Sequence, residues 1–464
     1  MKQHYFLLKT FVLIALIFIS IHTSASEASF NQQQVLEDIS NLYESLIETH
    51  YNPYAYISKK QLKRQYKTLK SSVTKSSYSL LETIKLYQQL VSSINNGHTE
   101  IDFPAASYFK YAESGGTLFP MEITIEDNKA LIRANHSIQS SIKKGTELLE
   151  INGQPISAIL NEIYPLISAE RQYFKNAKLE VYTFPRYYWY AYGQQDSFVI
   201  TVRNQDSVTQ HTVEAIDVFD DFEAKKDEIL DAQPQIDFFD DTAYLNPGHF
   251  SGNESKYQQF IENAFAEINA KASKNLIIDL RNNSGGNDSF SDYLVSYIAD
   301  KAFKWNSEFS LRTSTLLKQD TKINRDLTKP YWRSIMDNET GTQYEFQFDQ
   351  HPPVSKNKRY KGKVYVLVNR HSHSQAAVTA AQIQDYGWGL VVGEETGDYA
   401  TLYASQFQYA LPNTGIVVKI SKGYIVRVNG SKKPTGVIPT IIIKDHLLDE
   451  TDEILTGLLR HLSS

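Results

Sequence analysis

One stretch constrains the fold of this chain more than any other: an apolar run, a polar loop and a run of small residues. Val364–Val368 is apolar and rich in β-branched residues, which is typical of a buried strand. Ala376–Ala381 consists of small residues with good helix propensity, and Gly387 is suited to end that helix. Ser374 is therefore predicted at a strand-to-helix turn, either as a helix N-cap or as a nucleophile beside free backbone N–H groups.

Alternating strand and helix patterns surround this stretch. They lie at Thr242–Leu245, Tyr257–Ile268, Leu276–Leu280, Phe290–Ala299 and Leu390–Gly393. Such alternation predicts a mostly parallel sheet covered on both faces, with catalytic groups at the carboxyl ends of its strands. Ser374 and the loop Arg281–Asn287 are both expected at that edge. We also expect Ile416–Ser421 and Tyr424–Val428 to form a hairpin that turns at Lys422-Gly423.

Two smaller regions are predicted before this α/β core, which we place at residues 233–464. Residues 26–112 read as a helical domain of about three helices, because apolar residues recur at helical spacing. Residues 113–232 read as a β-rich module and linker with a turn at Asn152-Gly153. This module resembles the second half of a PDZ domain, which binds an extended peptide as an added strand. The predicted fold class is thus α/β, in an α+β multidomain chain.

Composition narrows the function classes. Residues 1–25 have the charged start, apolar centre and small-residue end of a secretory signal peptide, which indicates export. The chain has no cysteine, which excludes disulfides, thiolate catalysis and cysteine zinc sites. An exported chain without disulfides fits a bacterial periplasm or the extracellular medium. A net charge of -6 gives no reason to expect nucleic acid or an anionic membrane as a partner.

Three further stretches have more than one interpretation. Gly285-Gly286 follows a predicted strand, either as a tight turn or as backbone that approaches a ligand closely. His98 follows the helical region, either as a surface residue or as a general base facing a cleft. The aromatic stretch Phe184–Tyr192 either packs between regions or lines the substrate cleft.

Several of these stretches together resemble one family. Leu276–Gly286, with its Asp-Leu-Arg-x-Asn-x-Gly-Gly pattern, is similar to the signature of the tail-specific and tricorn-type serine peptidases. Val366–Ser374 resembles that family's nucleophile strand and elbow, and Gly393–Gly397 resembles the loop that follows. Leu411–Gly415 and Gly436–Pro439 resemble further elements near its carboxyl terminus.

The resemblance implies roles for individual residues. The family has a Ser–Lys design and a tricorn-like Ser–His design, and Glu394–Tyr403 lacks the lysine that the first would need. Gly97-His98-Thr99 matches the histidine motif of the second. We therefore expect Ser374 as nucleophile, His98 as general base, and the N–H groups of Gln375 and of Gly285 or Gly286 as the oxyanion hole.

The chain departs from the family pattern at two places. Ala377 stands where the family usually has a glutamate, and Ser431–Pro434 lacks the acid expected to orient the histidine. Glu394, Glu395 or Asp398 is expected to substitute for that acid.

Two alternatives involve the neighbouring histidines. His373 could serve as the base, although adjacent strand residues point to opposite faces. The other alternative is a zinc site formed by His98, His371 and His373, but nothing local in the sequence fixes the geometry that a zinc ion needs.

The predicted function is an exported serine hydrolase, most readily a peptidase acting on peptides or unfolded proteins. It needs no metal ion or organic cofactor. Its rivals are a non-catalytic lipid- or peptide-binding protein on the same fold, and a hydrolase of non-peptide esters or amides. The sequence leaves the oligomeric state open.

Overall fold

The computed structural model describes residues 28–225 and 233–463 of the 464-residue chain. The predicted signal peptide, residues 1–25, lies outside the described residues. Among the residues that are described, no helix combines the length and the apolar character needed to cross a membrane.

The helical region begins with three amphipathic helices that the apolar spacing predicts, and it has one helix more. The first buries Val35, Ile39, Leu42 and Leu46 completely. Each of the first three helices begins with a capping box, in which an Asn or Ser side chain and the third helical residue exchange hydrogen bonds. The helices of this region are Gln32–Thr49, Lys59–Ser72, Leu80–Ser92 and Ala105–Glu113.

The β-rich module follows, built on an antiparallel sheet. Asn152 and Gly153 have φ angles of 53° and 73°, so the predicted Asn-Gly turn is present. The helix Phe184–Tyr192 contributes Trp189 and Tyr190 to the core of the helical region, and Phe184 and Tyr188 to the core of the module. This aromatic stretch therefore packs between regions, which was the first of its two interpretations. The sheet order is Met121–Glu126, Lys129–Asn135, Glu147–Ile151, Ser197–Asn204 and Ser207–Glu214, with Gln154–Pro155 beside Glu147–Ile151. The module's other helices are Ile156–Ile163 and Gln172–Leu179.

The central sheet is mostly parallel, as the alternating pattern predicts. Its strands in spatial order are Gln235–Phe239, Thr242–Asn246, Asn275–Asp279, Lys363–Val368, Leu390–Gly393 and Ile441–Ile442. Only the first pair is antiparallel among these described strands.

Helices cover both faces of the central sheet. Val366 and Val368 pack into the larger core, while Tyr365 and Leu367 pack against the last helix of the chain. Alternate side chains of this strand therefore enter two different cores, which explains its continuous apolar run. The helices on the larger core are Glu254–Ala270, Asp288–Ser296 and Gln375–Tyr386, and the last helix is Glu453–Ser463.

The predicted hairpin at Lys422-Gly423 is wrong. Val417–Val426 is one continuous strand, which pairs along its length with Leu402–Ala410. A Cβ at Gly423 would lie 2.9 Å from the Cβ of Ser405, so the glycine serves a close approach between strands rather than a turn. These strands belong to a lateral antiparallel sheet in the order Gln343–Glu345, Glu308–Arg312, Val417–Val426, Leu402–Ala410. Two helices, Thr315–Asn324 and Pro330–Asp337, precede the edge strand Gln343–Glu345 in the chain.

Candidate active site

Ser374 lies at a strained turn between the strand Lys363–Val368 and the helix Gln375–Tyr386. Its φ and ψ are 52° and -125°, a conformation that a residue with a Cβ adopts only under constraint. Its side chain makes no capping hydrogen bond to the helix, so the N-cap interpretation does not describe this structure. The backbone N–H of Ser374 instead donates to Oδ2 of Asp398 at 2.9 Å. The turn therefore presents a hydroxyl that has no structural role in the helix.

Two loops at the carboxyl edge of the central sheet hold this turn in place: the serine loop, Asn369–Ser374, and the glycine loop, Arg281–Asn287. The His373 N–H donates to the carbonyl of Asn283 at 3.0 Å. The Ser372 hydroxyl donates to the carbonyl of Leu280 at 2.8 Å. These bonds cross from one parallel strand end to the other, which is where the sequence predicts the two loops to meet.

The paired glycines let the glycine loop touch the serine directly. A Cβ on Gly285 would lie 2.6 Å from the Gln375 nitrogen and 2.8 Å from the Ser374 Cβ, and its φ is +82°. The Gly285 N–H is already bonded to Oδ1 of Asn283 at 2.8 Å. Among the described residues, none accepts a hydrogen bond from the N–H of Gly286 or of Gln375. Of the backbone donors expected from the sequence, Gly286 and Gln375 are thus the free pair.

His98 comes from the helical region, about 280 positions before the serine, yet lines the same cavity as Ser374. Its loop is fastened at both sides. The Gly97 N–H and the Asn96 side chain both donate to Oε1 of Glu170, at 2.7 and 2.8 Å. The carbonyl of His98 accepts from the Gln406 amide of the lateral sheet at 2.9 Å.

The His98 ring is buried next to a second histidine and a carboxylate. Its Nε2 lies 3.8 Å from Oδ2 of Asp398, and the His373 Nε2 lies 3.4 Å from the same oxygen. The two rings stack with centroids 4.7 Å apart. Neither ring nitrogen of His98 has a hydrogen-bond partner among the described residues. The His98 imidazole therefore has a free lone pair inside the site.

Burial dominates the electrostatics of this cluster. It lowers the pKa of His98 to about 4, an effect that the negative charge of Glu170 opposes. Burial also lowers the pKa of His373 well below its usual range, with the neighbouring His98 adding to the effect. The pKa of Asp398 is raised to about 6 by burial, against the hydrogen bond from the Ser374 N–H. Both imidazoles are consequently neutral at physiological pH.

Glu394 and Glu395, the other acids expected to orient His98, have arginine partners. Glu394 pairs with Arg370 at 3.1 Å, in a cluster that also contains Glu126 and Glu180. Glu395 pairs with Arg171 at 2.8 Å. Asp398, the third residue that the sequence offered, is the one that the structure brings to the histidines. Ala377 is fully buried in the larger core, so the family's glutamate position is an apolar packing position here.

The remaining histidine of the serine loop, His371, points elsewhere. Its Nε2 lies 3.7 Å from Glu180 in the module, and burial lowers its pKa to about 3. It is therefore absent from the cluster of His98, His373 and Asp398, and the zinc site considered from the sequence does not form with His371.

The cavity at Ser374 has a volume of about 370 Å³ and an aromatic wall. The wall is formed by Trp305, Phe309, Tyr331 and Phe348. Sequence analysis missed these residues because they come from short, separate elements around the lateral sheet. The one available signal was the alternation Tyr344, Phe346, Phe348, which places aromatic side chains on one face of an extended segment.

A second serine lines this cavity. The Ser405 hydroxyl accepts a hydrogen bond from the buried Lys422 amine at 2.8 Å. Its φ of 56° is left-handed, although Ala404 and Gln406 on either side pair with Gly423 and Ser421 in an unbroken register. Ser405 thus has the lysine partner that Ser374 lacks, and any functional test must separate these two hydroxyls.

Comparison with known proteins identifies the core. Residues 241–443 match the model of Peptidase family S41. A tail-specific protease of Haemophilus influenzae is 35% identical over 111 residues, a match that spans 21% of this chain and only 16% of that relative. The solved structure of mature CPAF complexed with lactacystin is 16% identical, with a TM-score of 0.64, and the match covers 93% of this chain and 97% of that one.

A second CPAF structure, of the mature protein, gives the same result at 15% identity. Its TM-score is 0.62, and the match covers 89% of this chain and 92% of that chain. At these identities the likeness shows the fold, which extends from the helical region to the last strands. Residues 241–443, somewhat less than half of the chain, therefore match Peptidase family S41.

Proposed function

We propose that this chain is an exported serine peptidase in which Ser374 is the nucleophile and His98 the general base. One observation carries the proposal. A strained serine with no capping role shares a cavity with a buried histidine whose nitrogens are unpartnered and with two free backbone N–H groups. A nucleophile, a base and oxyanion donors are the parts that acyl transfer requires.

The reaction begins when a peptide carbonyl lies beside Ser374 in the cavity. His98 accepts the hydroxyl proton as the serine oxygen attacks the carbonyl carbon, and the N–H groups of Gly286 and Gln375 stabilise the oxyanion. The intermediate collapses to an acyl-enzyme as His98 returns the proton to the leaving amine. Water, deprotonated by His98, then attacks the ester, and the acid is released as His98 returns that proton to the Ser374 oxygen.

Asp398 takes the part of the orienting acid in this scheme. Its carboxylate lies 3.8 Å from the His98 Nε2 and is fully buried. A buried negative charge beside the ring stabilises the imidazolium that forms in the transition state. The same carboxylate accepts from the Ser374 N–H, so it links the base to the nucleophile turn.

The substrate is a peptide or unfolded protein with an apolar side chain next to the cleaved bond. The aromatic wall of Trp305, Phe309, Tyr331 and Phe348 favours a large apolar group. The β-rich module, which we propose is PDZ-like, has a sheet suited to hold an extended peptide. The signal-like residues 1–25 and the absence of cysteine support a periplasmic or extracellular location.

The test is the intact mass of the mature protein after exposure to a fluorophosphonate. We expect one adduct on the wild type and on Ser405→Ala, and none on Ser374→Ala. An adduct that persists on Ser374→Ala and is lost on Ser405→Ala would move the nucleophile to the Ser405–Lys422 pair. No adduct on any of the three proteins would overturn the peptidase proposal in favour of a binding protein. Cleavage of peptides against matched esters then separates a peptidase from a hydrolase of other acyl groups.

A further inference from the structure

The cluster of His98, His373 and Asp398 has more coordinating atoms than the proposed reaction uses. Three potential ligand atoms, one from each side chain, lie within 4.8 Å of one another. They come from three separate segments: the loop between helices Leu80–Ser92 and Ala105–Glu113, the serine loop, and the loop after strand Leu390–Gly393. General base catalysis needs His98 and one orienting acid, so it gives His373 no task.

Three of the four histidine nitrogens of this cluster have no hydrogen bond to lose. Both ring nitrogens of His98 and the Nε2 of His373 are buried without a partner among the described residues. A buried polar atom without a partner is costly, so each such atom calls for an explanation. These buried, unpartnered nitrogens therefore have lone pairs to offer to a cation.

Two imidazole nitrogens and one carboxylate oxygen form a donor set typical of Zn²⁺, with the fourth position open. Ligand atoms about 2.0–2.1 Å from a tetrahedral zinc ion lie about 3.3 Å from each other. The two nitrogens lie 3.4 and 3.8 Å from Oδ2 of Asp398, already near that spacing. Because the rings are stacked at an interplanar angle of 26°, they must also rotate to point both lone pairs at one ion. His98 lines the cavity that also contains Ser374, which gives an ion a path from solvent.

We propose that His98, His373 and Asp398 form a reversible inhibitory site for Zn²⁺. This inference rests on the proposed function, since it makes the catalytic base a metal ligand. An imidazole that coordinates zinc through one nitrogen keeps its proton on the other, so neither nitrogen can accept the Ser374 proton. Bound zinc therefore switches off nucleophile activation without touching the serine itself.

The charges around the cluster allow a divalent cation. Asp398 is fully buried, and Glu170, whose Oε2 has no partner among the described residues, adds a second carboxylate. The Lys178 amine opposes the cation, but it donates to the carbonyls of Ser168 and Gly97 at 2.8 and 3.2 Å and lies 3.8 Å from Glu100. Arg171 also acts on Asp398, but its charge is paired with Glu395 at 2.8 Å. Two buried carboxylates against one tethered ammonium then leave the pocket negative, as a zinc site requires.

Zinc binding is tested apart from catalysis, on the full chain with Ser374→Ala, by competition with a chromophoric zinc chelator. A second cluster, Asp445, His446 and Glu453, is partly exposed, so His446→Gln is added to remove its contribution. We expect one zinc ion per chain. His373→Gln should lower the affinity by about 100-fold or more, because even outer-shell partners of a metal contribute about 10–100-fold. His371→Gln, which changes a buried histidine of the same loop outside the cluster, should leave the affinity unchanged.

Inhibition is then measured as the rate of fluorophosphonate labelling of the chain with native Ser374. Zn²⁺ should stop labelling, EDTA should restore it, and Mg²⁺ at the same concentration should have no effect. For each variant, the labelling rate with zinc is expressed as a fraction of that variant's own zinc-free rate. On this scale, His373→Gln and Asp398→Asn should each need a higher zinc concentration than the native chain for half-inhibition. If zinc binds the Ser374→Ala chain but the fluorophosphonate never labels the native chain, the zinc site would be supported and the proposed function refuted. Labelling that zinc accelerates or leaves unchanged, or equal zinc affinity in His373→Gln and His371→Gln, would overturn the inhibitory site.

Discussion

The two sides of the candidate site are built in different ways. On the serine side, Ser374 and the oxyanion donors are fixed by backbone contacts between two loops at adjacent strand ends. On the histidine side, His98 lies on a loop that is distant in sequence, and its ring is held by packing rather than by hydrogen bonds. The serine side is therefore preorganised by the central sheet. The histidine side depends on how three regions of the chain pack together.

The largest loss of activity is expected when either the nucleophile on the serine side or the base on the histidine side is removed, and the two losses should be equal. Ser374→Ala and His98→Ala should each lower kcat/KM by about 10⁴-fold or more, and the double variant should be no worse than either alone, because nucleophile and base act as a unit. Single-turnover kinetics with a peptide ester would measure this, with circular dichroism to show that the fold is kept. If His98→Ala retained activity that His373→Gln then abolished, the base would be His373.

The next effect concerns the acid that connects the two sides. Asp398→Asn should lower kcat by about 10³-fold, because the imidazolium loses its buried counter-charge. Glu394→Gln and Glu395→Gln are the matched controls and should cost less than about tenfold, or 1.4 kcal/mol of barrier. Their carboxylates pair with Arg370 and Arg171. A loss in either control that equals the loss in Asp398→Asn would move the orienting role to that glutamate.

The glycine loop gives a test of preorganisation on the serine side. Gly285→Ala should lower kcat by about 10²–10³-fold, since its Cβ would push against the Gln375 nitrogen and separate the oxyanion donors. Gly252→Ala is the matched control, because its φ of +92° is equally left-handed but nothing lies within 4 Å of its new Cβ. Both variants should lose about 1–2 kcal/mol of unfolding free energy to backbone strain, and Gly285→Ala should lose more because its Cβ also clashes with backbone atoms. Only Gly285→Ala should lose activity, as seen by comparing kinetics with urea unfolding.

The same difference between the serine side and the histidine side explains which parts of the candidate site could be predicted from the sequence. The serine side follows from local patterns: an apolar strand, paired glycines and a helix of small residues place Ser374, Gly286 and Gln375 at one sheet edge. Those patterns also predict the four inner strands of the central sheet, because burial on both faces leaves little freedom in the sequence. They do not predict the two outer strands, Gln235–Phe239 and Ile441–Ile442, whose side chains are more exposed.

The histidine side could be assigned only through a family resemblance, since His98 reaches the cavity by contacts across the whole chain. Asp398 was one of three candidates, and nothing local distinguished it from Glu394 or Glu395. The hairpin at Lys422-Gly423 failed for a related reason: a glycine needed for a close approach to Ser405 looks, in sequence, like a glycine needed for a turn. The aromatic wall, drawn from separate elements, gave no continuous signal at all.

The smallest expected effect is in the pH dependence, and it reports on the histidine side alone. A general base must be neutral, so kcat/KM falls where the free enzyme's His98 becomes protonated. Because burial lowers the pKa of His98 to about 4, the main acid limb, in which the base itself becomes protonated, should come well below pH 6.5. Asp398, whose pKa burial raises to about 6, becomes protonated first and should give an upper limb, no larger than the loss expected for Asp398→Asn, which that variant lacks.

The pH profile of kcat/KM should also shift when a carboxylate near His98 is neutralised by mutation. Glu170 raises the pKa of His98, and Glu100 does so more weakly. Glu170→Gln should therefore move the main acid limb to lower pH, and Glu100→Gln should move it less in the same direction. Profiles of kcat/KM between about pH 4 and 8 would measure both shifts. A limb that stayed near 6.5 in every variant would show that the working base is exposed to solvent, and a limb that moved upward in Glu170→Gln would show that Glu170 acts on the site by packing rather than by its charge.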